Sequence, residues 1–229
     1  MTYSSVSLAR GFWKMSGVGP YSTSRPRYKK AVKSLAGNGF VAEYCRTSRE
    51  AGEYILAEAA EADSIGFGGS LSVADMDIAG KLRSMGKELL MHSTPGLTPE
   101  ERRVIMRRQL TCDLFLTGTN ALTLSGCLVN IDATGNRAAS MMFGPKKVIV
   151  VAGRNKLVDG DIAEALRRIK NCSSPPNARR LNFNTPCART GFCCDCNSPE
   201  RICRITTIID RKPRQTDLRV LVVNEEMGL

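Results

Sequence analysis

Short apolar runs alternate with segments of helical period along most of the chain. From Pro26, Tyr28, Ala31, Val32 and Leu35 recur at helical spacing, and Gly37 and Gly39 end that helix. Residues 39–44 read as a strand. Thr47 and Glu50 form a capping-box pattern before a helix carrying Ala51, Tyr54, Ile55 and Ala59. Ser64–Phe67 reads as the next strand, and a glycine-rich turn then opens a single helix with Val73, Met76 and Leu82 inward. Residues 89–92 form a short strand. Thr98, Pro99 and Glu101 supply the N-cap, first-turn proline and third-position acid of a helix. Residues 114–116, 127–131 and 148–152 are apolar enough for buried strands, and Asp159 is the expected cap of a helix bearing Ile162, Ala163, Leu166 and Ile169. Residues 205–209 and 218–223 read as two last strands. This alternation predicts an α/β fold, a mainly parallel sheet with helices on both faces.

Composition supports one sizeable core: 42% of the 229 residues are hydrophobic and 24% charged. Residues 1–23, rich in Ser and Gly around Phe12 and Trp13, read as an N-terminal arm, with one domain over 24–229. No stretch approaches the length of a membrane span, and the Met1–Ser4 start lacks a charged-then-apolar signal pattern, so a cytoplasmic location is expected. The net charge of +11 is spread over helix faces without an aromatic-interleaved basic strand or a recognition helix, which argues against nucleic acid as the partner.

In open α/β sheets, ligands bind beyond the carboxyl ends of the strands. Four such ends here are rich in glycine and polar groups. Gly66, Gly68, Gly69 and Ser70 can bring backbone amides close to an anion. Thr117, Gly118, Thr119 and Asn120 add hydroxyls and an amide. Asn130, Asp132, Thr134, Gly135, Asn136 and Arg137 offer a candidate acid–base group in Asp132 and a carboxylate or phosphate grip in Arg137. Gly153, Arg154, Asn155 and Lys156 add two cations. Each could be no more than a capped or solvated turn, but together they outline a cleft for a small anionic or carboxylate ligand. The single histidine, His92, rules out multi-histidine metal sites and reads as a strand-end residue.

Five of the nine cysteines crowd one segment, 186–204. Cys187, Cys193, Cys196 and Cys203 are spaced C-x5-C-x2-C-x6-C, with Cys194 between them. Only one C-x2-C pair is present, whereas four-thiolate zinc sites usually use two. The wider flanking gaps suit a [4Fe-4S] cluster, with zinc as the alternative and free thiols as a third outcome. Cys45, Cys112, Cys127 and Cys172 fall in or beside predicted elements and read as apolar filler.

The runs Gly66–Ser70, 116–121, 128–132, 134–137 and 143–156 resemble the LUD-domain family, the lactate-utilisation proteins, over roughly residues 25–229. The resemblance implies a fold like that of the sugar-phosphate isomerase and CoA-transferase group. It also implies an association with bacterial oxidation of L-lactate to pyruvate, beside iron–sulfur or flavin protein partners. Short members with a cysteine tail are similar across Ser198–Cys203, whereas Cys194 departs from the family pattern. No flavin or nicotinamide fingerprint is present, so the chain is not expected to oxidise lactate alone. The expected function is an iron–sulfur redox or electron-transfer component acting on or near a small carboxylate. The alternatives are a non-redox isomerase- or transferase-like enzyme using Asp132, and a binding or regulatory module with a structural metal.

Overall fold

The computed structural model describes residues 25–229, so the N-terminal arm expected over 1–23 lies outside the described residues. Six parallel strands form the main sheet: β1 (Val41–Cys45), β2 (Ser64–Phe67), β3 (Glu88–Leu90), β4 (Leu114–Gly118), β7 (Lys147–Gly153) and β10 (Asp217–Val223), in the order β1-β10-β7-β4-β2-β3. Four further strands, β5 (Ala121–Thr123), β6 (Leu128–Asp132), β8 (Leu157–Val158) and β9 (Ile205–Ile209), make a smaller mixed sheet in the order β8-β5-β6-β9.

Period-two alternation along the central strands splits the core. Val148, Val150 and Ala152 of β7 join Leu218, Val220 and Val222 of β10 on one face. There they meet Tyr28, Ala31 and Leu35 of helix α1 (Arg25–Gly37), and Leu122, Leu128 and Ile209 of the small sheet. Ile149 and Val151 join Leu221 and Val223 on the other face, under Ala51 and Ile55 of α2 (Ser48–Glu58). Strands buried on both faces are apolar at nearly every position, and β7 and β10 follow that pattern.

The helix expected after the glycine turn is two helices, α3 (Leu71–Ala74) and α4 (Ala79–Ser84). Asp77 between them has φ +46, a left-handed conformation that a continuous helix cannot hold. Helix α5 (Pro99–Gln109) starts as expected: Thr98 Oγ1 accepts from Glu101 N, and the Glu101 carboxylate accepts from Thr98 N at 2.7 Å. Helix α6 (Asn136–Met142) follows β6 directly. Helix α7 (Ile162–Arg168) is capped by Asp161, not Asp159, because Asp161 Oδ1 is the one that accepts from Glu164 N at 3.0 Å. Asp159 instead faces Arg27 at 3.6 Å. A π-helical turn, Ile169–Ser173, leads from α7 into α8 (Ser174–Arg180), and α9 (Pro186–Thr190) opens the cysteine segment. No helix among the described residues is long and apolar enough to cross a membrane.

Candidate functional site

All six main strands run the same way, so the turns after β2, β4 and β7 rise from one edge of the sheet. These turns are Gly68–Ser70, Thr119–Asn120 and Arg154–Lys156. The fourth polar end belongs to β6 of the small sheet; Asn120 ties it to the turn after β4, and Arg168 ties that turn to the one after β7. Asn120 Oδ1 accepts from Ile131 N at 3.0 Å and from an Arg137 Nη at 2.8 Å, while Asn120 N donates to Asn130 Oδ1 at 3.1 Å. Arg168 donates from Nε to Asn155 O at 2.7 Å and from Nη1 to Asn120 O at 2.6 Å. Gly118 lies close to both Ser70 Oγ and Lys156 Nζ, which brings the Gly68–Ser70 turn to the same region as the other three ends.

Within it the predicted residues divide by role. Asp132 is buried, and both of its oxygens are engaged. Oδ1 accepts from Arg137 Nε at 2.9 Å and from an Arg137 Nη, and Oδ2 accepts from Ala138 N at 2.9 Å. The carboxylate thus positions Arg137 and the start of α6. Thr119 Oγ1 donates to Ala121 O at 2.9 Å, Thr117 Oγ1 to Gly118 O at 3.2 Å, and Asn130 Nδ2 points at Met141 Sδ. These three shape the strand ends from inside. Gly66 lies within β2 against Phe115 and Cys112. Gly135 caps α6 in the left-handed region, next to exposed Thr134 and half-buried Asn136. Arg154 faces Glu226 at 3.4 Å, and Asn155 Oδ1 accepts from Met227 N at 3.1 Å, so this turn holds the segment that follows β10.

Lys156 is different. It is only 4% exposed, and its Nζ donates to Ser72 Oγ at 2.6 Å. Ser72 in turn donates to Met227 O at 3.2 Å. No carboxylate pairs with the ammonium among the described residues. Burial, reinforced by the charges of Arg168 and Arg137, pulls its pKa down to about 7. Gly118 lets the backbone come this close: a methyl group there would stand 2.6 Å from Ser70 Oγ and 3.4 Å from Lys156 Nζ. This region therefore gathers three basic side chains, Lys156, Arg137 and Arg168, against the Asp132 carboxylate already spent on Arg137 and Asp75, whose charge opposes the fall of the Lys156 pKa. Such a site favours an anion. Ser72 and Arg168 escaped sequence reasoning. Ser72 lies one turn beyond the glycines, and Arg168 sits in a basic run that looks solvent-facing until its 7% exposure is known.

A family model for the LUD domain matches residues 28–223. The chain belongs to the LUD-domain family. The crystal structure of a DUF162 family protein from Deinococcus radiodurans is similar to this LUD domain over 86% of this chain and 96% of that one, at 15% identity and a TM-score of 0.50. At that identity the likeness concerns the fold alone. No curated protein matches the chain.

The cysteine segment of this LUD domain adjoins the cleft through shared backbone. Arg204 N donates to Asp132 O at 3.0 Å, and β9 then pairs antiparallel along β6, Ile205 opposite Asp132. Lys170, in the π-helical turn after Arg168, faces Asp195 at 3.7 Å. Arginines grip the segment by its carbonyls: Arg201 donates to Cys203 O at 2.6 Å and to Cys196 O, and Arg179 to Ala188 O at 2.7 Å. Gly191 and Asp195, at φ +83 and +48, turn the chain back on itself. All nine cysteines are free thiols. Cys187 is buried beside Thr185 Oγ1 at 3.3 Å, Cys193, Cys196 and Cys203 are half-buried, and Cys194 is exposed. Burial raises the Cys203 pKa, with the Ser174 hydroxyl opposing that rise and the nearby Cys193 and Cys187 adding to it. Among the described residues, no three His, Cys, Asp or Glu side chains stand close enough to hold a metal ion. The four thiols Cys187, Cys193, Cys196 and Cys203 share one segment but form no ready-made metal-ion site among the described residues. Of the remaining cysteines, Cys45 and Cys112 are buried with pKa values pushed up to about 11, and Cys127 and Cys172 are half-buried.

Proposed function

We propose that this LUD domain binds a small carboxylate such as L-lactate in the cationic cleft and carries an iron–sulfur centre on Cys187, Cys193, Cys196 and Cys203, acting as a redox component with an iron–sulfur or flavin protein partner. One observation carries the reading. Five free thiols, the four named and Cys194, lie on the segment whose next strand, β9, is hydrogen-bonded to the strand bearing Asp132. Two arginines, Arg201 and Arg179, hold the carbonyls of this segment, and its backbone reverses at Gly191 and Asp195. When bound, a [4Fe-4S] cluster would supply one-electron chemistry.

The chain's own residues then have defined tasks. Arg137, fixed by Asp132 and Asn120, and Arg168, fixed by Asn120 O and Asn155 O, set a positive field at the cleft. Lys156 can take up a proton when an anion arrives, because an incoming negative charge offsets the burial that keeps its pKa near 7. The Thr185 hydroxyl beside Cys187 is placed to donate to a thiolate sulfur.

A second reading is favoured by Lys156 itself. A buried amine that titrates near neutrality is a general acid–base group, which a non-redox isomerase- or transferase-like enzyme would use in place of the occupied Asp132. Visible absorption of protein prepared without oxygen separates the two. Broad brown absorption that bleaches on reduction, lost in Cys187→Ser and kept in Cys194→Ser, is expected. A colourless wild type, together with turnover of sugar phosphates that Lys156→Met abolishes, would favour the second reading.

A further inference from the structure

His92 follows β3 at the same edge of the sheet, next to the Gly68–Ser70 turn, and a buried glutamine fixes its ring. Gln109 is fully buried at the end of α5. Its Nε2 lies 2.9 Å from Phe67 O, 2.8 Å from Leu90 O and 3.0 Å from His92 Nδ1. Two backbone carbonyls can be met only by N–H groups, so the amide cannot be turned to present its oxygen. Both amide protons are then committed towards those carbonyls and the ring. A protonated Nδ1 would face an N–H group, so Nδ1 keeps its lone pair and the proton resides on Nε2.

That second nitrogen points to the glycine turn. Gly69 has φ +69, and a methyl group there would stand 3.4 Å from His92 Nε2 and 3.7 Å from Cε1. Among the described residues, the ring's hydrogen-bond contact is at Nδ1, and Nε2 has none. Burial holds the imidazole pKa below its ordinary value; the Gln109 contact works against that fall, and Arg102, which donates to His92 O at 3.1 Å, adds a charge that opposes protonation. The net shift favours the neutral ring.

We propose that His92 is a binding residue of the cleft, offering its Nε2–H across Gly69 to a carboxylate or carbonyl oxygen of the bound anion. This rests on the reading of the glycine turn as ligand-facing. A neutral donor accepts an oxygen lone pair without adding a fourth cation to the cleft, and it repels a ligand that presents an N–H there.

The chain has one histidine, so imidazole nitrogen resonances of the full protein belong to His92 alone. In 15N-labelled protein titrated with L-lactate, and separately with inorganic phosphate, the expected spectrum at pH 6.5 is that of neutral imidazole protonated at Nε2. The Nε2 resonance should move on addition of either probe, and His92→Phe should weaken binding about tenfold. A ring protonated at Nδ1, or half-protonated at pH 6.5, would overturn the proposal whatever the probe does. If the Gly68 and Gly69 amides shift while the imidazole does not, His92 is no binding residue and the cleft stands. If neither probe shifts the turn or the ring, the proposal falls together with the reading of the turn.

Discussion

The cleft and the cysteine segment lie side by side, yet they are held together in opposite ways. In the cleft the functional side chains are themselves bonded: Arg137 to Asp132 and Asn120, Arg168 to two carbonyls, Lys156 to Ser72. In the cysteine segment the backbone is held by Arg201 and Arg179, while the sulfurs gain little beyond the hydroxyls of Thr185 and Ser174. A site built for a transient ligand must be organised before the ligand arrives, or binding costs the ordering entropy each time. A site built for a permanent inorganic group can leave its donors unsatisfied, since the group completes the structure when it is installed. The contrast is what the proposed occupants, a transient anion in one region and an inorganic centre in the other, would require.

The largest expected effect breaks the contrast on the cysteine side. Removing the inorganic centre with a chelator should release residues 184–204 to rapid hydrogen exchange while Asn120, Ile131 and Ala138 amides stay protected. Equal loosening of both regions would show that they are one cooperative unit. Next, Arg137→Met leaves Asp132 buried without its partner, and denaturant unfolding should show a loss of about 3–5 kcal/mol. A loss under 1 kcal/mol would show that the pair does not organise the cleft.

Lys156→Met tests the cleft in the other direction. The lysine's folded pKa of about 7 lies below its unfolded value of 10.5, so between those values the unfolded chain holds more protons. The wild type should gain stability as pH rises from 7 towards 10.5 from this group, and the penalty should be constant below 7. The methionine variant should flatten that slope and be more stable at pH 7 by about 1–2 kcal/mol, while losing anion binding. An unchanged slope in urea unfolding at pH 7 and 9.5 would show that Lys156 is not a buried titrating amine. The smallest effect is a control outside both regions: Thr98→Ala removes a capping box and should cost about 1 kcal/mol without altering iron content or anion binding.

The main sheet could be read from the sequence because β7 and β10 are apolar at successive positions and the helices between strands keep helical spacing. The small sheet could not be read in full. Strands β5 and β8 have three and two residues, too few to show a period. The break at Asp77 left no proline or glycine to mark it. Asp159 and Asp161 both suit a cap, and only backbone geometry distinguishes them. The polar strand ends were legible as a set because glycine and hydroxyl residues interrupt apolar runs. Their division into scaffold and ligand-facing groups was not, since Thr119, Asn130 and Asp132 spend their polar atoms on the protein itself. The place of His92 in the cleft depends on Gln109, seventeen residues away, a link no local pattern carries.

Elemental analysis of wild-type protein made and purified without oxygen tests the pairing of an anion cleft with an inorganic centre most directly. The account predicts about four iron and four acid-labile sulfide per chain, lost together in Cys187→Ser, Cys193→Ser, Cys196→Ser or Cys203→Ser and retained in Cys194→Ser. Stoichiometric zinc, or no metal with all thiols titratable, would contradict it.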